Sequence, residues 1–240
     1  MAKEQRWAKA QTYEKQWWNR RAETMDLEFY EAYASDLVHE FDGILELKRD
    51  TVILEIGSGA AGILTFLKSE HRYAIDPLEP FYSAIPNFVN FRDKGVKYFT
   101  GKSENLPFQE NRFNFIIIDN VLDHCENIEL VFFEISRVLQ PAGFVYLRLS
   151  TYSLWGKFVR FLIELFQIDQ GHPHTFTKKD LRRIFASSMF KVCKYKPQGH
   201  FYCWLKAVKS KEPKQLAKAM TFTTADKTMY ILSNCLNNKS

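Results

Sequence analysis

Apolar positions follow two different rhythms along this chain. Over residues 4–41 they recur every three or four residues, through Trp7, Tyr13, Trp17 and Trp18 and then Leu27, Tyr30, Tyr33 and Leu37. That spacing predicts two amphipathic helices, an N-terminal helical cap. From residue 51 the apolar positions gather into short β-prone runs. Residues 51–56 (TVILEI) predict a strand that ends in the glycine turn Gly57-Ser58-Gly59, and residues 60–68 have helical character behind it. Further strands are predicted at 72–75, 96–100, 113–119 and 143–149, with helical stretches between most of them, notably 128–139. Residues 152–168 are strongly apolar and aromatic. A helix over 178–185 is expected behind the cap Thr177, then strands at 190–195 and 202–208, and a last helix near 227–236.

Strands alternating with helices imply an α/β fold: a mainly parallel, seven-stranded sheet with helices on both faces and right-handed crossovers. The expected organisation is a cap over 1–45, a core over 46–210 with a lid insertion at about 151–177, and a tail over 211–240 that turns helical near its end. Ligands in such sheets sit at the carboxyl ends of the strands.

Composition narrows the picture little. At 240 residues, 46% hydrophobic and 25% charged, one elaborated domain is the default. No apolar run reaches the roughly 18 residues of a membrane span, and the first 21 residues lack the apolar core of a signal peptide, so a cytoplasmic protein is expected. Cys125, Cys193, Cys203 and Cys235 show no CxxC spacing, which argues against a zinc knuckle or a disulfide framework. The net charge of +5 is scattered rather than gathered in a basic block, so nucleic acid is not indicated as a partner. Nothing in the sequence speaks to oligomeric state.

The turn Gly57-Ser58-Gly59-Ala60-Ala61-Gly62 matches GxGxxG, a spacing that lets backbone approach a dinucleotide pyrophosphate. Glu55, two positions before the first glycine, argues otherwise: a carboxylate there repels a pyrophosphate and suits an ammonium or sulfonium cation. Asp76, 19 residues beyond Gly57, is placed to accept from ribose hydroxyls or, more plainly, to start a turn with Pro77.

Glu55-Ile-Gly57-Ser-Gly59, Asp76, Ser103-Glu104-Asn105-Leu106-Pro107-Phe108, residues 113–120 (FNFIIIDN) and Arg137-Val-Leu-Gln-Pro-Ala-Gly143 follow one another in register. Over about residues 50–150 the chain thereby resembles the class I S-adenosylmethionine-dependent methyltransferases of the ubiquinone-biosynthesis-like group, which are Rossmann-like. The resemblance implies S-adenosylmethionine as cofactor. Glu55 would hold its methionine end, the turn through Gly57, Ser58, Gly59 and Gly62 would pass beneath it, Asp76 would bind ribose, and Ser103 and Glu104 would flank adenine; Asp119 and Asn120, where the chain leaves strand four toward the methyl group, would also bind the cofactor. Ala61 stands where relatives often have a third close glycine, and Pro141-Ala142-Gly143 replaces the usual Pro-Gly-Gly. Lys102 stands where relatives often carry an Asp that accepts from the adenine amino group; a cation cannot accept that bond, which leaves it to backbone at Ser103 or to Glu104.

Methyl transfer from a sulfonium is an in-line displacement in which the protein aligns the acceptor and, for a weakly acidic one, supplies a base. His124 is one candidate base, since histidine titrates near about 6.5; its other reading, with Asp123, is to orient the next helix. His174 is the second, in the turn Gly171-His172-Pro173-His174, whose two histidines read equally as substrate-facing or as helix-entry residues. No third ligand to the His172/His174 pair is legible and this transfer needs no metal, so none is expected. Trp17, Asp123, Tyr152 and His172 are expected to face the acceptor, with Trp17 in ordinary cap packing as the alternative. The aromatic stripe of 152–166 reads first as lid or core packing, then as an acceptor pocket or membrane contact. The absence of an Asn/Asp-Pro-Pro-aromatic segment after strand four, and of a Pro-Cys nucleophile, counts against nucleic-acid bases.

The expected activity is O-methylation of a small molecule or of a glycan or natural-product precursor. Two alternatives stand beside it: a cofactor-binding scaffold of the same fold without catalysis, and an NAD-linked oxidoreductase, which GxGxxG permits and Glu55 opposes.

Overall fold

The computed structural model describes residues 3–165, 172–201 and 225–235. The chain opens with α1 (Lys3–Asn19) and α2 (Leu27–Glu40), then enters a seven-stranded sheet. Its strands are β1 (Val52–Ile56), β2 (His71–Asp76), β3 (Val96–Thr100), β4 (Phe113–Asp119), β5 (Leu139–Tyr152), β6 (Phe190–Phe201) and β7 (Ala225–Asn234). The connecting helices are α3 (Glu79–Ser83), α4 (Pro86–Phe91), α5 (Ile128–Val138), α6 (Leu154–Leu165) and α7 (Lys178–Ser187), with 3-10 turns at Ile63–Phe66 and Leu122–His124.

Strand order is β3-β2-β1-β4-β5-β7-β6. The first five strands pair in parallel and the last two antiparallel. The chain winds outward from β1 through β2 to β3 and then returns to the other side of β1 as β4. The topological switch point, where such sheets bind ligands, therefore lies between β1 and β4.

Strict alternation builds two cores. Leu54, Ile56, Ile75, Ile116, Ile118, Val145 and Leu147 face α5 and α7, meeting Phe132, Ile135, Leu181 and Phe185. Ile53, Ala74, Phe115, Ile117 and Tyr146 face α2, meeting Tyr33, Leu37 and Phe41. Helix α5 is fixed at its start by Asn127, whose side chain accepts from the amides of Glu129 and Leu130, and α7 by a capping box between Thr177 and Asp180.

Two expectations need correction. No α-helix runs over 60–68: Gly62 at φ 74°, ψ 169° cannot continue one, and only the 3-10 turn Ile63–Phe66 forms. The helix expected near 227–236 is instead β7, because residues 225–234 are drawn into the gap between β5 and β6, where their backbone pairs on both sides. The strand expected at 202–208 lies outside the described residues; the seventh strand is β7. Of the aromatic stripe, Leu154–Leu165 forms α6, in which Leu154 is 84% and Phe161 59% exposed while Val159 is buried.

Candidate active site

Alternation decides which side chains meet at the switch point. Glu55 follows Ile53 on the α2 face of β1, Asp76 follows Ala74 on β2, Asp119 follows Ile117 on β4, and Arg148 follows Tyr146 on β5. Glu55, Asp76 and Asp119 sit at or next to the carboxyl ends of their strands, Arg148 lies opposite Asp119, and all four line one cavity of about 360 Å³ roofed by α1 and α2. That volume falls within the range of small-molecule sites, about 300–1,000 Å³.

Glu55 is buried, and its carboxylate accepts from the Ile63 amide at 3.1 Å and the Leu64 amide at 3.2 Å. Burial pushes its pKa up to about 8 against the pull of those two amides, with Asp119 and Asp76 adding to the rise. Asp76 accepts from the Gly59 amide at 3.0 Å and the Leu78 amide at 2.8 Å, and burial raises it to about 6. No Lys, Arg or His of the described residues pairs with either carboxylate. The glycines between them have no room for side chains. A Cβ at Gly59, φ 60°, would meet the Trp18 indole at 2.5 Å, and one at Gly62 would run into the Glu55 carboxylate. Gly57 and buried Ser58 also line the cavity.

Asp119 is handled differently. Arg148, its register partner on β5, donates from Nε at 2.7 Å and Nη2 at 2.9 Å. The guanidinium also lies 4.0 Å from the Tyr33 ring centre, and the Tyr33 hydroxyl is 2.9 Å from that of Tyr146. Asn120, at φ 56°, donates to Asp119 at 3.0 Å and accepts from the Lys227 ammonium.

At the far end a narrower chamber of about 40 Å³ is walled by Lys102, Ser103, Glu104 and Cys125. Glu104 spends one carboxylate oxygen on the amides of Glu126 and Asn127, at 2.6 and 3.2 Å, and the other on the Ser103 hydroxyl at 3.1 Å. Lys102 pairs with Glu126 at 2.7 Å and lies 3.6 Å from the Trp7 ring centre. Trp17 lines the main cavity and a side chamber of about 250 Å³ that includes Phe29 and Tyr30.

His124 lines both the main cavity and the narrow chamber. Its ring is 4.7 Å from that of His172, and its Nε2 is 3.9 Å from the buried Asp123 carboxylate. His174 is outside the cavity lining: its Nε2 is 2.8 Å from the Cys125 carbonyl, and its amide donates to the Asp123 carbonyl at 3.2 Å. Tyr152 is likewise outside that lining, its amide donating to the Phe176 carbonyl at 2.8 Å. Sequence reasoning gave no site role to Arg148, Lys227, Glu14, Arg21 or Tyr30. Arg148 was recoverable from alternation along 143–149. Lys227 was not, since its segment reads as a helix.

The sheet is Rossmann-like, and an acid-lined cleft lies at its switch point. Residues 54–147 match the family described as "Methyltransferase domain". The chain is 39% identical over 56 residues to the mitochondrial 2-methoxy-6-polyprenyl-1,4-benzoquinol methylase of Dictyostelium discoideum, a match over 23% of this chain and 18% of that protein. The matched segments span no more than about a quarter of the curated relatives' length. Among solved structures, geranyl diphosphate C-methyltransferase of Streptomyces coelicolor, in complex with Mg2+, geranyl diphosphate and S-adenosyl-L-homocysteine, superposes with TM-score 0.61 at 13% identity, covering 85% of this chain and 78% of that one. Phosphoethanolamine N-methyltransferase 2 of Haemonchus contortus, in complex with S-adenosyl-L-methionine, superposes with TM-score 0.60 at 12% identity, covering 83% and 52%. Among the described residues no helix is long and apolar enough to cross a membrane.

Proposed function

We propose that the protein transfers the methyl group of S-adenosylmethionine to a hydroxyl of a small molecule or of a glycan or natural-product precursor. The observation that carries this is the pair of buried carboxylates, Glu55 and Asp76, which among the described residues meet backbone amides and no cation, in a cavity large enough for a ligand. A ligand bearing a sulfonium and an ammonium supplies the missing positive charge; a dinucleotide pyrophosphate would add to the negative.

The cofactor S-adenosylmethionine lies across the turn Gly57, Ser58, Gly59 and Gly62. Glu55 favours its charged methionine end and Asp76 accepts from its ribose, both oxygens keeping lone pairs beyond those given to amides. Ser103 and the backbone beside it wall the adenine, since the oxygens of Glu104 already meet other donors. Asp119 and Asn120, braced by Arg148, close the far side.

In the transfer, a lone pair of the acceptor oxygen forms the new C–O bond while the C–S bond breaks and its electrons neutralise the sulfur. The hydroxyl proton must leave, and that task falls to the group around His124, with Asp123 and His172 beside it. Trp17 walls the acceptor's chamber. His174 and Tyr152 act at a distance, by holding the segments that carry these groups.

Calorimetric titration with S-adenosylhomocysteine, S-adenosylmethionine and NAD tests the donor site: micromolar binding of the first two and none of NAD is expected, and NAD binding alone would overturn the reading. Release of S-adenosylhomocysteine with a panel of hydroxylated acceptors tests catalysis, and cofactor binding without turnover on any of them would favour a scaffold. His124→Ala is expected to lose turnover at least about 100-fold, within the range of general-base effects, with cofactor affinity kept.

A further inference from the structure

Asp123, His124 and His172 present one ligand-type atom each, a carboxylate oxygen and two ring nitrogens, and these lie within 4.8 Å of one another. Three atoms so placed share a centre no more than about 2.8 Å from each, against metal–ligand bonds of about 2.0–2.2 Å, so each needs to move less than an ångström. Asp123 Oδ1 is buried and has no hydrogen-bond partner among the described residues. His124 Nε2, at 3.9 Å, stands beyond hydrogen-bonding reach of it. A buried carboxylate oxygen is costly to leave unpaired, and a cation at this centre removes the cost.

The frame around the group is built to hold it. Arg160 donates to the His172 carbonyl at 2.9 Å, the His174 amide donates to the Asp123 carbonyl at 3.2 Å, and the His174 ring reaches the Cys125 carbonyl at 2.8 Å. These bonds tie the segment from His172 to the 3-10 turn Leu122–His124, from which the other two ligands project. Such outer contacts are what fix ligand orientation in metal sites. The competing cation nearby is Lys227, which feels the Asp123 charge but gives its ammonium to Asn120.

We propose that Asp123, His124 and His172 bind one divalent transition-metal ion of the zinc type. Two imidazoles and one carboxylate suit zinc or iron(II) far better than magnesium or calcium, whose preferred ligands are oxygens, and three protein ligands leave a coordination position open. The site stands without the methyl-transfer reading. Where that reading holds, a bound cation lowers the pKa of a hydroxyl in its open position and so replaces a free histidine base.

The test is titration of chelator-treated full-length protein with Zn2+, read by calorimetry, with Mg2+ as comparator. Wild type is expected to bind one Zn2+ at micromolar concentration or tighter and no Mg2+ in that range. Binding is expected to fall at least tenfold in His172→Ala and in Asp123→Asn. Circular dichroism checks the fold of both variants, and S-adenosylhomocysteine affinity, expected unchanged in His172→Ala, separates this site from the cofactor pocket. Absence of Zn2+ binding in wild type would overturn the proposal. So would wild-type Zn2+ affinity in two folded variants, which would place the ion on the exposed thiols Cys193 and Cys235 or elsewhere.

Discussion

The two ends of the cleft carry similar acids in opposite states. At β1 and β2, Glu55 and Asp76 accept from amides no more than 17 residues away in the chain, so their partners arrive with the turn that defines them. Past β4, Asp123 is buried with one oxygen unpaired, beside a histidine contributed from 49 residues further on. Between them Asp119 is neutralised by Arg148, a partner fixed by strand register. Acids satisfied by local backbone keep their spare lone pairs and their uncompensated charge for a ligand. An acid left without a local donor depends on what the rest of the fold, or a bound ion, brings to it.

The largest effect is expected from Glu55→Ala, which removes the charge and strands the amides of Ile63 and Leu64. Donor affinity is expected to fall by about 3 kcal/mol by calorimetry, the sum of a lost charge interaction and unmet donors; wild-type affinity would take Glu55 out of the site. Glu55→Gln refines the point, since it keeps an acceptor and loses the charge. It should weaken S-adenosylmethionine about tenfold more than the neutral-sulfur product, through the sulfonium alone.

Asp76→Ala is expected to cost about 1–3 kcal/mol, the range for leaving buried polar partners unpaired, and to cost it equally for substrate and product because the hydroxyls do not sense the sulfur charge. A difference between the two ligands would move Asp76 away from the ribose.

The pH dependence is smaller and has a definite sign. Folding raises Glu55 from 4.5 to about 8, so its contribution to the ligand-free fold is complete below pH 4.5 and is lost as the pH rises through about 8. A cationic ligand favours the ionised form. Donor affinity should therefore rise between pH 6 and 8, by at most about 1.4 kcal/mol per pH unit, with proton release at pH 7 detectable as buffer-dependent binding heat. Flat affinity across that range would mean that no cation meets Glu55. The smallest effect is expected at the adenine end: Lys102→Ala removes a half-exposed pair with Glu126 and should change donor affinity by less than about 1 kcal/mol in the same titration.

Much of the donor half was legible in the sequence. The β-prone runs ending in Glu55, Asp76 and Asp119 each put an acid at a strand's carboxyl end, and period-two alternation puts all three on one face. The positive backbone angles of Gly57, Gly59 and Gly62 follow from the turn they form. The same glycines misled in one respect, because residues 60–68 keep helical composition while Gly62 breaks the helix. The acceptor half was harder to read. His172 and His174 look like a pair in sequence, yet His174 turns to the Cys125 carbonyl, and His172 joins Asp123 and His124 instead. The strand β7 was missed because its residues show no alternation strong enough to outweigh helical spacing, and its conformation is set by the two strands that flank it.

Local pattern alone specified strands β1 to β5, the glycine turn and the three acids at the strand ends, because strand alternation and backbone sterics act over a few residues. The pairing of Asp119 with Arg148, the insertion of β7 and the meeting of Asp123, His124 and His172 came from long-range packing. Those depend on segments far apart in the chain, brought together by burial of the two faces of the sheet rather than by any local preference.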